Sequence, residues 1–227
     1  MNALSRIARV ISEHGLRGAG FKLYAALVDR WFDFRYGVDT CRWATLDTLH
    51  IVGGNKDHGH RYEPARIVVM RGLLRKIKPL VPPDSVLVDL GSGKGRVLLI
   101  AAESGFTGAT GVEFASELCA VARENCLKFR RRTQTTARLQ VVEGDVVEYD
   151  IGEQDNVFVL FNPFDDHVMQ EVMARLEESV GRFPRRIIVC MYNMKSIDLM
   201  KRVSGFVVID DTERFGYRTT IFSNLPK

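Results

Sequence analysis

VLVDLGSGKGR, Val86 to Arg96, is the stretch from which this chain can be read. An apolar run broken only by Asp89 has the length of a strand buried on both faces. Gly91, Gly93 and Gly95 then follow at every second position. Without Cβ atoms such a loop can adopt positive φ and come within van der Waals distance of a ligand. The helix expected after it offers N–H groups at its first turn. The stretch predicts a strand, a cofactor loop and a helix. Two common glycine loops do not fit. In G-x-G-x-x-G the third glycine would fall where Arg96 stands, and no Gly-Lys-Ser/Thr of a phosphate loop is present.

Outward from this stretch the pattern alternates. Strands are predicted at 86–90, 108–113, 138–143, 156–161 and 186–192, with helices at about 94–104, 115–129, 166–181 and 195–203. Two extended runs, GFVVIDD and YRTTIFSN, joined by a turn containing Gly216, form a terminal antiparallel pair. The sum is an α/β fold: a Rossmann-like, seven-stranded, mostly parallel sheet with an antiparallel last strand and helices on both faces. Upstream, a helix at about 65–77 ends before Pro82-Pro83, and 37–63 reads as loop. Residues 3–13 and about 21–34 carry helical apolar spacing on either side of Gly15, Gly18 and Gly20. We therefore expect an N-terminal helical extension or lid over residues 1–60 and a catalytic domain over 61–227.

Ligands of such sheets lie beyond the carboxyl ends of the strands. There the sequence places GVEF with Glu113, VVEGDV with Asp145 and Val146, and LFNPF with Asn162, Pro163 and Phe164. Together with acid-x-G-x-G-x-G from Asp89, these resemble the motifs of class I S-adenosylmethionine-dependent methyltransferases. The resemblance covers about residues 60 to 225. It implies S-adenosyl-L-methionine as cofactor, held by Asp89, Gly91, Ser92, Gly93 and Gly95. Glu113 is implied at both ribose hydroxyls, Asp145 at the adenine amino group and the Val146 N–H at the ring. Asn162 closes the cofactor set and, with Pro163 and Phe164, serves catalysis; NPF is one proline short of the (D/N)PP(Y/F) motif of enzymes that methylate nitrogen. With RYEP upstream, the wording is similar to bacterial relatives of the seven-strand lysine methyltransferases, including the disruptor-of-telomeric-silencing histone enzymes. That likeness implies that Tyr62 and Glu63 close over the methionine end of the cofactor.

Methyl transfer is an in-line displacement, so alignment matters more than acid–base work. An amine reacts only when neutral. The Asn162 side-chain oxygen and the Pro163 carbonyl are suited to accept its N–H bonds, and Phe164 to face the cation, a contact of about 0.5–2 kcal/mol. The expected acceptor is a protein lysine. A small-molecule or nucleic-acid amine is the alternative, as is a non-catalytic cofactor-binding partner subunit. His58 and His60 read as loop because no third metal ligand has suitable spacing, and no metal is expected. His167 reads as helix surface, Cys119 and Cys126 as core, and KFRRRT (128–133) as a solvated helix end.

Composition bounds the setting. The 227 residues are 46% hydrophobic, enough for a substantial core. No run of about 18 apolar residues exists. The arginines within MNALSRIARVISEHG argue against a secretory signal, and the four cysteines form no CxxC pair. A cytoplasmic protein with reduced thiols is expected. Residues 1–80 hold 14 Lys/Arg against 7 Asp/Glu, the remainder 18 against 21. The basic, apolar N-terminal helices suit an acidic partner or a peripheral membrane contact.

Overall fold

Val86–Leu90 forms β1, and all five of its residues are buried. That is what a strand central to a covered parallel sheet requires. The computed structural model describes residues 3–42, 63–161, 166–193 and 205–225. In chain order it contains α1 (Ala3–Tyr36), α2 (Ile67–Ile77), β1, α3 (Arg96–Glu103), β2 (Gly108–Glu113), α4 (Ser116–Thr133), β3 (Arg138–Glu143), β4 (Asp155–Leu160), α5 (Asp166–Arg182), β5 (Ile188–Tyr192), β6 (Val207–Arg214) and β7 (Tyr217–Ser223). The expected helix at 195–203 lies outside the described residues.

The strands make one seven-stranded sheet in the order β3-β2-β1-β4-β5-β7-β6. β1 pairs in parallel with β2 and β4, whereas β7 is antiparallel to both β5 and β6. The order reverses between β1 and β4, which opens a crevice beyond their carboxyl ends. Phe215 and Gly216, with φ of 55° and 79°, make the tight turn between β6 and β7.

Strand side chains alternate between two apolar layers. Leu87, Ala109, Val157, Val159, Ile188 and Cys190 join residues of α1, α2, α3 and α4 in one. Val88, Leu90, Val112, Phe158, Leu160, Val189 and Met191 pack with α5 in the other. By this alternation Asp89 and Glu113 fall on the first face, at the strand ends.

The N-terminal helix is continuous apart from a kink at Gly15 (φ 66°, ψ 176°), and it runs on through Gly18 and Gly20 rather than restarting after them. Its later part shares the core of the sheet. Phe32 is fully buried, and Tyr36 packs on Phe129 of α4 with ring centroids 4.7 Å apart. The Tyr36 hydroxyl donates to Glu103 at 2.9 Å. Near the other end, Phe21 stacks on Phe215 at the β6–β7 turn, 4.8 Å away. The helix therefore reaches from the β6–β7 turn to α4.

Arg96 explains that docking. It stands where a dinucleotide loop has glycine, and its side chain turns away from the loop into the α1 layer, where it is 2% exposed. Nε donates to Thr40 Oγ1 at 2.8 Å, Nη1 to the Ala65 carbonyl at 2.8 Å and Nη2 to Cys41 Sγ at 3.1 Å. Asp29, also buried, lies 3.4 Å from Nη1 and accepts from Arg66 at 2.8 Å and from the Ile67 N–H at 3.0 Å. A fork of five donors can tie three segments at once, which a lysine cannot do.

Candidate functional site

Gly91, Gly93 and Gly95 all take positive φ, at 83°, 52° and 77°. Gly95 needs that conformation to start α3, and a Cβ there would meet Ala122 Cβ at 3.2 Å. The alternating glycines thus wind the chain tightly between β1 and α3. The loop spends its N–H groups inward. Gly91 and Ser92 donate to the Val112 carbonyl at 2.9 and 3.0 Å, Gly95 to the Ser92 carbonyl at 2.9 Å, and Gly93 to Glu113 Oε2 at 2.7 Å. These four N–H groups do not form the nest that a phosphate needs.

Glu113, at the end of β2, is 3% exposed. Besides Gly93 it accepts from the Phe114 and Ala115 N–H groups through Oε1, at 3.1 and 3.0 Å. Burial raises its pKa while these backbone donors pull it down. Asp89 is equally buried, and burial, with the Glu113 charge added, pushes its carboxyl up to about 8. Among the described residues no Lys or Arg pairs with either acid. The nearest candidate in sequence, Lys94, reaches instead to Asp39 at 3.1 Å. Asp145, 8% exposed at the end of β3, accepts from the Val147 N–H at 3.2 Å and opens a short 3-10 turn beginning at Val146. Three acids therefore line three successive strand ends around the glycine loop.

Sequence reading missed the parts that hold this loop in place. Asn125 of α4, 1% exposed, donates to the carbonyls of Lys94 at 3.0 Å and Asp39 at 3.1 Å and accepts from the Asp39 N–H at 2.9 Å. Gly111 lies beneath Ser92: a Cβ on it would sit 2.5 Å from Ser92 Oγ and 3.0 Å from Leu98 Cδ1. The Ser92 side chain thus faces the sheet, buried and without a hydrogen-bond partner at Oγ. A glycine inside a strand signals such close approach, and Gly111 carried that signal.

β4 ends at Leu160 in register with Leu90, so the chain leaves β4 directly beside the glycine loop. Asn162, Pro163 and Phe164 follow there but, like Tyr62, His58 and His60, lie outside the described residues. Glu63 is exposed and lines a cavity of about 390 Å³ with Asp29, Cys41, Arg66 and Arg96. His167 is exposed on α5, its Nε2 3.2 Å from Glu171. Cys119 and Cys126 are core residues. Among the described residues no group of three His, Cys, Asp or Glu is placed to hold a metal, and no helix is long and apolar enough to cross a membrane.

A family model described as histone methylation protein DOT1 matches residues 67–190. No curated protein sequence matches the chain. Among solved structures, the chain is similar to the putative methyltransferase yhhF from Escherichia coli (16% identity, 77% of this chain and 97% of that one, TM-score 0.58). It is also similar to the putative RNA methyltransferase PH1948 from Pyrococcus horikoshii (20% identity, 78% and 94%, TM-score 0.55). The putative methylase HI0767 from Haemophilus influenzae is a third (14% identity, 70% and 97%, TM-score 0.53). At these identities the likeness is one of fold.

Proposed function

The chain belongs to the DOT1 histone-methylation family, whose methyl donor is S-adenosylmethionine, and from that premise we propose that its acceptor is an amine nitrogen, the side chain of a protein lysine. The observation that carries donor binding is the pair of buried acids, Asp89 and Glu113, without a basic partner among the described residues, beside a loop whose N–H groups point inward. That environment suits a ligand bearing a ribose diol and positive charge, and opposes a pyrophosphate. The donor's fit rests on these residues: beyond its three backbone donors Glu113 keeps an acceptor site for a ribose hydroxyl, and Asp145 with the Val146 N–H would take the adenine.

When bound, the donor supplies an electrophilic methyl group on a sulfonium. The protein's part is positional. The Gly91–Gly95 turn and Glu113 fix the donor, and the segment leaving β4 beside them holds the acceptor. There Asn162 and the Pro163 carbonyl take the amine's N–H bonds, so that its lone pair faces the methyl group. Held in this way, the neutral amine would stand in line with the methyl group that the donor supplies, and its proton would leave from nitrogen to solvent. Phe164 stabilises the cationic nitrogen through its ring face.

The test is incubation with labelled donor and cell extract, followed by protease or nuclease digestion and amino-acid analysis. Label recovered as methyl-lysine, lost by about a hundredfold in Asn162→Ala and Phe164→Ala while most of the donor affinity is kept, is expected. Label confined to a nuclease-sensitive or small-molecule fraction overturns the lysine acceptor.

A further inference from the structure

From Leu16 on, one side of α1 packs on α2 and α4 and the other is exposed. Leu16, Leu23, Leu27, Trp31 and Phe34 are 77, 64, 59, 52 and 84% exposed, and Tyr24 is 55% exposed. At about 100° per residue these six fall in a stripe roughly 100° wide, on the side opposite buried Ala25, Asp29, Phe32 and Tyr36. Contiguous exposure of this kind on a globular protein marks a contact surface.

Charge selects the partner. Exposed Arg17 and Arg35 lie about 70° to one side of the stripe's centre and exposed Arg30 about 70° to the other. The Arg35 guanidinium sits 5.4 Å from the Trp31 ring centroid. From Leu16 to Tyr36 the two acids of the helix point inward. Asp29 is 3% exposed and bound by Arg66, and Asp33 accepts from Thr40 and from the Cys41 N–H. The outer face is thus apolar along its middle and cationic along both edges.

We propose that α1 lies in the plane of an anionic lipid surface, with this stripe among the acyl chains and the arginines at headgroup level. An interfacial helix has this cross-section, with Trp and Tyr at the boundary. A second copy fits worse. A helix–helix seam at the strict heptad alternation of four and three residues from Leu16 would run through positions 16, 20, 23, 27, 30 and 34, which places Gly20 and Arg30 in it. Two copies would meet over a missing side chain and a buried arginine. A bilayer has no such seam to satisfy.

The experiment uses the full chain with vesicles of phosphatidylcholine, with and without phosphatidylglycerol. Sedimentation with the anionic vesicles, weakening with salt, is expected. In a Trp43→Phe background Trp31 is the sole tryptophan, and its emission should shift to the blue and be quenched by brominated acyl chains. Leu23→Asp with Leu27→Asp should lower vesicle partition about tenfold or more, with thermal midpoint and donor affinity unchanged. Failure of the wild type to bind anionic vesicles, equal binding by the double variant, or a dimer in sedimentation velocity that this variant dissolves, each overturns the proposal.

Discussion

The Gly93 N–H donates to Glu113 Oε2 at 2.7 Å, so the acid that ends β2 holds the middle of the loop that follows β1. Because Glu113 also accepts from the Phe114 and Ala115 N–H groups, its carboxylate shapes the proposed donor site before any ligand enters. A residue whose only task was to meet the ribose would leave the empty protein indifferent to its loss. Glu113→Ala should therefore lower stability without ligand as well as weaken donor binding. Each buried donor left unpaired costs roughly 1–3 kcal/mol. Chemical denaturation of the ligand-free variant checks this, and an unchanged midpoint would leave Glu113 as a ligand contact alone.

Asp89 gives the empty protein a pH dependence. Its carboxyl is pushed up to about 8, first by burial and then by Glu113, whereas the unfolded chain ionises it near 4. Between those values the folded state holds the extra proton. Stability is thus full below about pH 4 and is lost as pH rises through about 8. Asp89→Asn removes the titrating group at equal size. The thermal midpoint of this variant, measured against wild type without ligand, should gain progressively from pH 5 to pH 8. Parallel profiles over that range would show that Asp89 is ordinary.

Gly111→Ala tests the packing beneath the loop. The added methyl would meet Ser92 at 2.5 Å, in a backbone conformation that alanine itself tolerates. Overpacking of this sort costs about 1–3 kcal/mol, and here the displaced atoms belong to the glycine loop proposed to hold the donor. Donor affinity, followed by calorimetry, should fall together with stability. Ser92→Gly in the same chain should restore both. Failure of this rescue would argue that the contact is not the cause.

Arg96→Lys tests the tie between the loop's helix and the N-terminal layer. Lysine keeps the charge beside Asp29 but cannot also reach Thr40, the Ala65 carbonyl and Cys41. Breaking part of a buried ionic network costs roughly 3 kcal/mol. The denaturation midpoint should fall accordingly, and proteolysis should begin near residues 37–42. A variant as stable as wild type would mean that Arg66 alone neutralises Asp29.

Much of this architecture is local information, and for that reason the sequence carried it. Apolar runs of strand length, glycines at every second position and acids at strand ends read correctly as β1 to β7, and the alternation of strands with helices implied a parallel sheet. Those signals depend on neighbours a few residues apart. Arg96 was legible only as a misfit to a glycine pattern, because its partners Asp29, Thr40, Cys41 and Ala65 come from other parts of the chain. Likewise Asn125 looked like one polar residue in a helix until the fold set it between Lys94 and Asp39. The apolar spacing of α1 marked it as amphipathic without saying which side faced the core. Tertiary structure decided that by burying Phe32 and Tyr36 and leaving Leu23, Leu27 and Phe34 in solvent. A period of 3.6 residues defines a face, but only the rest of the fold supplies what that face packs against.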